Sequence, residues 1–219
     1  MMARLPIEQL REAYLRAILA GELPMAERII REAIDSGLGE AAIDTEIITP
    51  AMAAVGDQWA SGSIGIADEH LATDISMRMI TLQREAFRVA RKRSLATVLL
   101  AAVEGERHIL GLEMAASALL HAGFDVRMLG ADVPSAALAA TVERTGARVL
   151  GLTASTPAAA FQAQRAISLA RQRSPSLGVV IGGAAADHAR HLGPATARCT
   201  HVGEAVDVVE ALSQRALLN

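Results

Sequence analysis

One segment in the second half of the chain has the residue types and the spacing of a loop that binds a metal through a histidine. Glu106 and His108 stand two residues apart directly after an apolar run, and Gly111 follows them. On a loop, a carboxylate can accept the ring N–H of a histidine whose other nitrogen binds a metal, which fixes the tautomer and makes the imidazole more basic. A glycine here lets the backbone pass close to a bulky group. Taken alone, a loop histidine is also typical of a surface or helix-capping residue.

The segments around these residues alternate between predicted strands and predicted helices, as in a parallel sheet. Apolar runs of strand length alternate with helical stretches, and the runs fall at 96–103, 124–129, 147–153, 177–182 and, more weakly, near Cys199–Val202. The helical stretches are predicted at about 108–122, 135–145, 157–173, shortly after Gly183, and from about Glu204 to Leu217. This order predicts an α/β fold, a flavodoxin- or Rossmann-like sheet of five parallel strands with helices on both faces. Ligands bind at the carboxyl ends of such strands, where Glu106 and His108 lie.

The first half of the chain has helical periodicity instead. Helices are predicted from about residue 5 to Gly21, from Pro24 to Gly37, from Glu40 to Trp59 with a bend at Pro50, and from Ala67 to Arg91. Short connections between four helices predict an N-terminal four-helix bundle. We therefore expect a helical domain at residues 1–92 and an α/β domain at residues 95–219.

The predicted boundary between the two domains is basic. Four positive charges fall within Arg88–Arg93, at a predicted helix end. Cations at a helix C-terminus suit the helix dipole and a solvated linker. The same charges also fit an acidic or nucleic-acid partner, and the sequence leaves both interpretations open.

Composition excludes several classes of protein. The 219 residues carry 21 Lys plus Arg against 24 Asp plus Glu, a net charge of −3, which argues against a general nucleic-acid binder. Cys199 is the sole cysteine, so the chain has no internal disulfide and no cysteine-based zinc site. No apolar run reaches the roughly 18 residues of a membrane span, and the first residues lack the apolar core of a signal peptide. We expect a cytoplasmic protein with no membrane partner.

Three motifs in order resemble the cobalamin-binding domain. The spacing Glu106-x-His108-x-x-Gly111 is similar to that family's Asp-x-His-x-x-Gly signature. The segment from Gly151 to Ser155 stands where the family has Ser-x-Leu, and Gly182-Gly183 stands where it has a Gly-Gly pair. Glu replaces the usual Asp, and Thr-x-Ser replaces Ser-x-Leu, but a carboxylate and a hydroxyl survive both changes.

This resemblance implies a role for each matched residue. His108 would be the lower cobalt ligand in place of the cofactor's own benzimidazole, with Glu106 as its hydrogen-bond partner and Gly111 in the same binding loop. The displaced nucleotide tail would enter a slot beside the sheet. The residues expected to line this slot are Thr153, Ser155, Gly182 and Gly183.

The single Trp resembles part of a second signature. Trp59, nine further residues and then Glu69-His70 are similar to the upper-face motif of cobalamin-dependent light sensors of the CarH and LitR type. There the Trp packs over the upper ligand and the Glu-His pair contacts it, so the helical domain would cover the upper corrin face. The residues alone equally allow Trp59 to plug the end of the bundle and Glu69 to favour the start of the next helix.

Two departures qualify this second resemblance. Those sensors have a histidine directly after the Trp that captures cobalt when the upper ligand leaves, whereas this chain has Ala60. Whether His70 or water takes that position is left open. Because the predicted bundle begins near the first residue, we also expect no DNA-binding helix-turn-helix domain like that of those sensors. In this respect it resembles the stand-alone AerR and PpaA regulators, which act through a separate repressor protein.

The sequence therefore predicts a non-enzymatic photoreceptor that regulates transcription through a partner protein. Adenosylcobalamin is the expected cofactor, with hydroxo- and methylcobalamin as alternatives. A corrinoid methyl carrier of a methyltransferase system is the alternative function; a subunit of a radical isomerase and a cofactor-storage protein are further ones. Oligomeric state is left open, a homo-oligomer included. Of the other histidines, His121 is expected to be a packed or surface group, whereas contact with the corrin rim or tail is considered for His188, His191 and His201.

Overall fold

A computed structural model describes residues 6–87, 96–189, 192–193 and 195–215. The chain divides into two compact units, Met1–Arg88 and Val89–Asn219. The predicted fold class, an N-terminal helical bundle followed by a five-stranded parallel sheet, is confirmed. The basic stretch Arg88–Arg93, His191 and the end of the last predicted helix lie outside the described residues. Within the described part, no helix is both long enough and apolar enough to cross a membrane.

The first unit contains the four predicted helices, and one of them has a wide turn in its middle. Its elements are α1 (Ile7–Leu19), α2 (Leu23–Asp35), α3 (Glu40–Ile43), a π-helical segment (Asp44–Ile48), α4 (Thr49–Ala60) and α5 (Ile66–Ala86). Backbone angles stay helical from α3 into α4, so these segments form one continuous helix. Pro50 lacks an N–H and its ring crowds the preceding turn, and the π-helical segment directly before it accommodates both effects.

The buried face of α5 includes polar residues. Ser76 and Gln83 are fully buried, whereas the apolar Leu71 is 45% exposed. Each buried polar group has a partner on another helix. Tyr14 Oη donates to Ser76 Oγ at 3.0 Å, and Gln83 Nε2 donates to Asp44 Oδ1 at 3.0 Å. These two hydrogen bonds tie α5 to α1 and to the π-helical segment.

Asp44 is the one buried carboxyl group that the described part of the bundle contains. Burial raises the pKa of Asp44 from 3.8 to about 7, with Glu40 adding to the rise and the hydrogen bond from Gln83 opposing it. Between these two values the folded protein holds a proton that the unfolded chain has released. The free energy of unfolding therefore falls as the pH rises through this window.

We predict that Asp44→Asn removes this part of the pH dependence, because an amide does not ionise. Urea titration at about pH 5 and about pH 8 measures the free energy of unfolding of the variant and of the wild type. The value for the variant minus the value for the wild type should rise by about 2–3 kcal/mol from the lower to the higher pH. Asp35→Asn, which alters an exposed carboxylate at the end of α2, is the control. A pH slope in Asp44→Asn that equals that of the wild type would contradict the prediction.

The second unit is a parallel sheet with the strand order β2-β1-β3-β4-β5. Its strands are β1 (Thr97–Ala102), β2 (Asp125–Met128), β3 (Val149–Thr153), β4 (Gly178–Gly182) and β5 (Thr196–Arg198). Its α-helices are α6 (Leu110–Ala122), α7 (Ser135–Thr145), α8 (Pro157–Arg173) and α9 (Ala205–Arg215), with 3-10 turns at Ala186–His188 and Val202–Glu204. Helices α7 and α8 pack on one face of the sheet, and α6 and α9 pack on the other.

The predicted position of β5 is wrong by several residues. The strand was expected near Cys199–Val202, but it runs over Thr196–Arg198 and pairs with Val179–Ile181 of β4. The Cys199 N–H still donates to the Ile181 carbonyl at 2.9 Å, after which the chain leaves the sheet. Pairing with β4 therefore determines where the strand ends, and the apolar pattern of Cys199–Val202 belongs to a loop.

Candidate functional site

The β1–α6 loop (103–109) holds Glu106 and His108 against each other. Glu106 is 2% exposed, although it carries a carboxylate, whereas the His108 side chain is 74% exposed. Glu106 Oε1 lies 2.6 Å from His108 Nδ1 and also accepts the His108 backbone N–H at 2.9 Å. The loop thus turns back on itself, and the buried carboxylate orients the exposed ring.

The other Glu106 oxygen is bound from the neighbouring strand. Ser155, in the β3–α8 loop (154–156), donates both its backbone N–H and its hydroxyl to Glu106 Oε2, the hydroxyl at 2.5 Å. Ser155 Oγ also lies 3.0 Å from His108 Nδ1. Since β1 and β3 are adjacent in the sheet, their carboxyl ends bring these residues together. Ser155 was predicted only as a slot residue, and the structure adds a direct contact with Glu106 and His108.

These hydrogen bonds determine the charge of Glu106. Burial raises the pKa of Glu106, but the donors from Ser155 and His108 lower it by more, and the net shift is downward. The side chain is therefore an anion, which only accepts hydrogen bonds. His108 Nδ1 must then carry the proton, which leaves the lone pair of the imidazole on Nε2.

His108 Nε2 has the properties of a single metal ligand. Among the described residues, no three His, Cys, Asp or Glu side chains come together as a metal-binding group. A metal bound to Nε2 would therefore take one ligand from this part of the protein and would bring its remaining ligands with it. A metal held in a macrocycle meets this condition.

A cavity of about 350 Å³ opens beside His108, between the sheet and helices α6 and α9. Its inner walls are apolar and come from Leu100, Val180, Leu112, Leu119 and Val209. Hydroxyl groups of Thr153 and Ser155 and the glycines Gly111, Gly182 and Gly183 line it as well. The cavity thus brings the predicted slot residues to one place beside the ring of His108.

Two of the glycines that line this cavity are closely packed against other residues. A Cβ on Gly151, in the middle of β3, would lie 2.4 Å from Leu100 Cδ2. Gly183 has a φ of +96°, and a Cβ there would lie 2.5 Å from the Ala154 carbonyl oxygen. By contrast, nothing lies within 4 Å of a Cβ at Gly111, so the protein packing around Gly111 leaves its surroundings open. Side chains at Gly151 or Gly183 would therefore disturb the walls of the cavity.

Part of this lining lies outside the residues that the sequence assigns to the slot. Gly151 enters the sequence analysis only as part of a motif, although an isolated glycine within a buried strand signals close approach of a neighbour or ligand. The segment Cys199–Val202, predicted as a strand, also lines the cavity and includes His201, a residue considered for contact with the corrin rim or tail. His201 lies in this segment, with its Nε2 3.2 Å from Glu204 Oε1. His188 lies on the 3-10 turn after β4 and is not one of the lining residues.

The predicted upper-face residues lie at one end of the helical unit. Trp59 is near the end of α4 and is 49% exposed. Glu69 and His70 lie in the first turns of α5, where Glu69 Oε2 is 2.5 Å from His70 Nδ1 and Glu69 Oε1 accepts the Thr73 hydroxyl at 3.0 Å. Asp68, rather than Glu69, accepts the Gly65 N–H at the start of the helix. An exposed indole and an exposed imidazole are thus available to a ligand.

We predict that Ser155→Ala raises the pKa of the Glu106 carboxyl, because the hydroxyl donor to Oε2 is lost while the backbone donor remains. Unfolding at neutral pH should require about 1–2 kcal/mol less free energy. Since the lowered pKa stabilises the fold only where the carboxyl is ionised, this loss should shrink as the pH falls below the usual range of a glutamate. Carboxyl ¹³C NMR titration and urea unfolding measure the two effects. Ser155→Thr keeps the hydroxyl and is the control; an unshifted Glu106 in Ser155→Ala would refute the prediction.

Two known proteins are similar in sequence to at least half of this chain. The chain is 31% identical over 185 residues to the HTH-type transcriptional repressor CarH of Myxococcus xanthus, an alignment that covers 84% of this chain and 60% of the repressor. It is also 31% identical over 113 residues to the trimethylamine corrinoid protein of Methanosarcina barkeri, which covers 50% of this chain and 52% of that protein. The chain thus spans little more than half the length of these relatives.

Solved structures show the same fold at low sequence identity. The monomethylamine corrinoid protein of Methanosarcina barkeri superposes with a TM-score of 0.79 at 18% identity and covers 94% of this chain and 100% of its own. A cobalamin-binding protein from Desulfitobacterium hafniense DCB-2 superposes with a TM-score of 0.51 at 21% identity, covering 95% and 98%.

Family models account for both units. A model described as B12 binding domain matches residues 96–213, and a second model with the same description matches residues 10–82. The first match alone covers more than half of the chain and includes Glu106, His108, Ser155 and the glycines of the cavity. The chain therefore belongs to the family of B12-binding domains, and its cofactor is a corrinoid.

Proposed function

We propose that this protein is a light-responsive, cobalamin-dependent regulator that controls transcription through a partner protein. The observation that carries the proposal is the imidazole of His108, held by Glu106 and Ser155 beside an apolar cavity. The likeness to the CarH repressor supports a regulatory role. Because the second unit has only 131 residues, an alignment over 185 residues must include part of the helical unit as well.

In this proposal His108 is the lower ligand of cobalt. Within the described residues its Nε2 accepts no hydrogen bond. The side chain is mostly exposed, so a large ligand can reach this nitrogen. Glu106 keeps the proton on Nδ1 and makes the imidazole a better donor. Ser155 holds Glu106 in the position that this task requires.

The cavity would accept the nucleotide tail of the cofactor. The benzimidazole base of cobalamin is flat and largely apolar, and it matches walls built from leucine and valine side chains. Thr153 and Ser155 offer hydroxyl groups at the same cavity, and Gly182 and Gly183 leave space beside β4. The residues present therefore fit a cobalamin bound with its own base displaced from cobalt.

We predict that Gly151→Val weakens binding of hydroxocobalamin at least tenfold, because the new side chain would displace Leu100, which itself lines the slot. Isothermal titration calorimetry measures the affinity, and a thermal melt of the apo-protein verifies folding. Cobinamide, a corrinoid without the nucleotide tail, is the control ligand and should lose less than about twofold. Equal losses for both corrinoids would contradict the assignment of the slot to the tail.

In this proposal the helical unit would supply the residues for the upper side of the cofactor. When bound, an adenosylcobalamin would supply a cobalt–carbon bond that visible light breaks. The indole of Trp59 would cover the adenosyl group and exclude water, and the Glu69–His70 pair would hydrogen-bond to its polar atoms. Without that group these contacts would be absent, which would favour a second conformation of the helical unit with a different affinity for the partner.

The test of this function is a light response in the loaded full chain. The protein is loaded in the dark with adenosyl-, methyl- or hydroxocobalamin and is then illuminated with green light. Absorption spectra and the elution volume in size-exclusion chromatography are recorded before and after. A light-dependent change in assembly or in binding of a transcription regulator supports the proposal, and an unchanged protein with a photolysed cofactor refutes it.

We predict that Trp59→Ala releases the bound adenosylcobalamin at least threefold faster in the dark, because a large apolar contact with the adenosyl group is lost. The spectral signature of histidine ligation should stay unchanged. Phe161→Ala is the matched control, since Phe161 is an exposed aromatic residue, at 66%, of the other unit. An unaltered release rate in Trp59→Ala would contradict the proposed role of this residue on the upper face of the cofactor.

A methyl-carrier function is the second candidate. The likeness to trimethylamine corrinoid proteins over half of the chain favours it. A carrier must, however, present an open upper face to its enzymes, and covering by Trp59, Glu69 and His70 would work against this. Methyl transfer from the methylcobalamin form to a thiol by a partner methyltransferase, without any light response, would support the carrier and contradict the sensor.

A further inference from the structure

Asp132 has an unusual backbone conformation next to the His108 loop. It lies in the β2–α7 loop (129–134) with a φ of +55°, and in the described residues only one other non-glycine residue, Ala195, has a positive φ. This left-handed region is disfavoured for residues with a Cβ, although aspartate tolerates it better than most. Such a conformation persists where the surrounding contacts demand it.

Asp132 contacts the backbone of the β1–α6 loop at two successive residues. Its Oδ1 accepts the Gly105 N–H at 2.7 Å, and its own N–H donates to the Glu106 carbonyl at 2.9 Å. Gly105 is itself left-handed, with a φ of +81°. The two hydrogen bonds thus fix the tight turn that leads into Glu106.

The next residue continues this attachment. Val133 donates its N–H to the Ala102 carbonyl at 3.0 Å and forms a parallel bridge with Val103. The end of the β2–α7 loop is therefore an extension of the sheet beside the end of β1. Asp132 comes directly before this extension and has little freedom to move away from the turn at Gly105.

Glu106 is consequently held from both neighbouring strands. Its backbone is bound by Asp132 after β2, and its side chain is bound by Ser155 after β3. The ring of His108 in turn is oriented by the Glu106 carboxylate. A shift of the Gly105 turn would move Glu106 and, with it, the position of His108 Nε2.

We infer that Asp132 is a positioning residue for the axial ligand, which acts on His108 through the Gly105–Glu106 backbone. The inference rests on the proposed role of His108 as cobalt ligand. Without the Asp132 carboxylate, the Gly105 turn samples more conformations. Ligation of cobalt by His108 must then restrict the turn, which lowers the affinity for the cofactor. Part of the cofactor should then be bound with its own benzimidazole, rather than the protein imidazole, on cobalt.

The test uses cob(II)alamin bound to the full chain labelled with ¹⁵N-histidine. An axial ¹⁵N and an axial ¹⁴N split the EPR lines differently, so the spectrum reports which base is bound to cobalt. Asp132→Ala removes the acceptor for the Gly105 N–H, and Asp132→Gly removes it without strain at positive φ and thereby protects the fold. Asp132→Asn keeps an oxygen in place and should behave like the wild type.

We expect three- to tenfold weaker cob(II)alamin binding and a larger ¹⁴N-ligated fraction in Asp132→Ala and Asp132→Gly. The Gly105 amide of the apo-protein should lose protection from hydrogen exchange in the same two variants. In a His108→Ala background, Asp132→Gly should change the affinity less than about twofold, because the residue it positions is absent.

Two outcomes would overturn the inference in distinguishable ways. If the wild type shows ¹⁵N splitting and Asp132→Gly keeps the same splitting and affinity, Asp132 does not position His108, while the proposed lower ligand stands. An equal loss of affinity in the His108→Ala background would likewise reduce Asp132 to a structural residue. If the wild type shows ¹⁴N splitting alone, the inference and the lower-ligand assignment fail together.

Discussion

The burial of the Glu106 carboxylate is the constraint on which the site depends. A carboxylate removed from water is costly unless hydrogen bonds replace the lost solvent. Here the replacement comes from Ser155 after β3 and from His108 after β1, so the same contacts that satisfy the charge also connect two loops and orient a ring. The net downward shift of the Glu106 pKa follows from these donors. Because the carboxylate stays ionised, it holds the imidazole in the tautomer that exposes the lone pair on Nε2.

One small residue in an otherwise well-filled sheet shapes the wall of the cavity beside this group. Parallel strands covered on both faces normally read as continuous branched apolar residues. In β3 the run is interrupted by Gly151, which lies opposite Leu100 on the face covered by α6 and α9. The Leu100 side chain occupies the space that a larger side chain at position 151 would need, and both residues line the cavity near His108. The ligand site and the packing of the sheet are thus consequences of the same residue choice.

The α/β unit defines a corrinoid protein, whereas the helical unit bears on what kind of corrinoid protein it is. The chain is similar both to a transcriptional repressor and to trimethylamine corrinoid proteins. The residues that separate the two proposals are Trp59, Glu69 and His70 at one end of the bundle, where Trp59 and His70 are exposed and Glu69 is partly buried. An exposed indole costs hydrophobic free energy that a bound apolar group would recover. The core of the same bundle contains buried polar pairs, which lie apart from these residues.

The sequence by itself determined the two-unit organisation, the parallel sheet and the Glu106–His108 pair, because helical and strand periodicity and a two-residue spacing are local properties of the chain. It did not determine the end of β5, since a short edge strand is defined by its pairing with β4 and not by its own pattern. The contact of Ser155 with Glu106 spans 49 residues, and that of Asp132 with Gly105 spans 27. Only the tertiary structure decided these contacts and the role of Gly151. Each depends on which strands become neighbours and which side chains meet on the same face of the sheet.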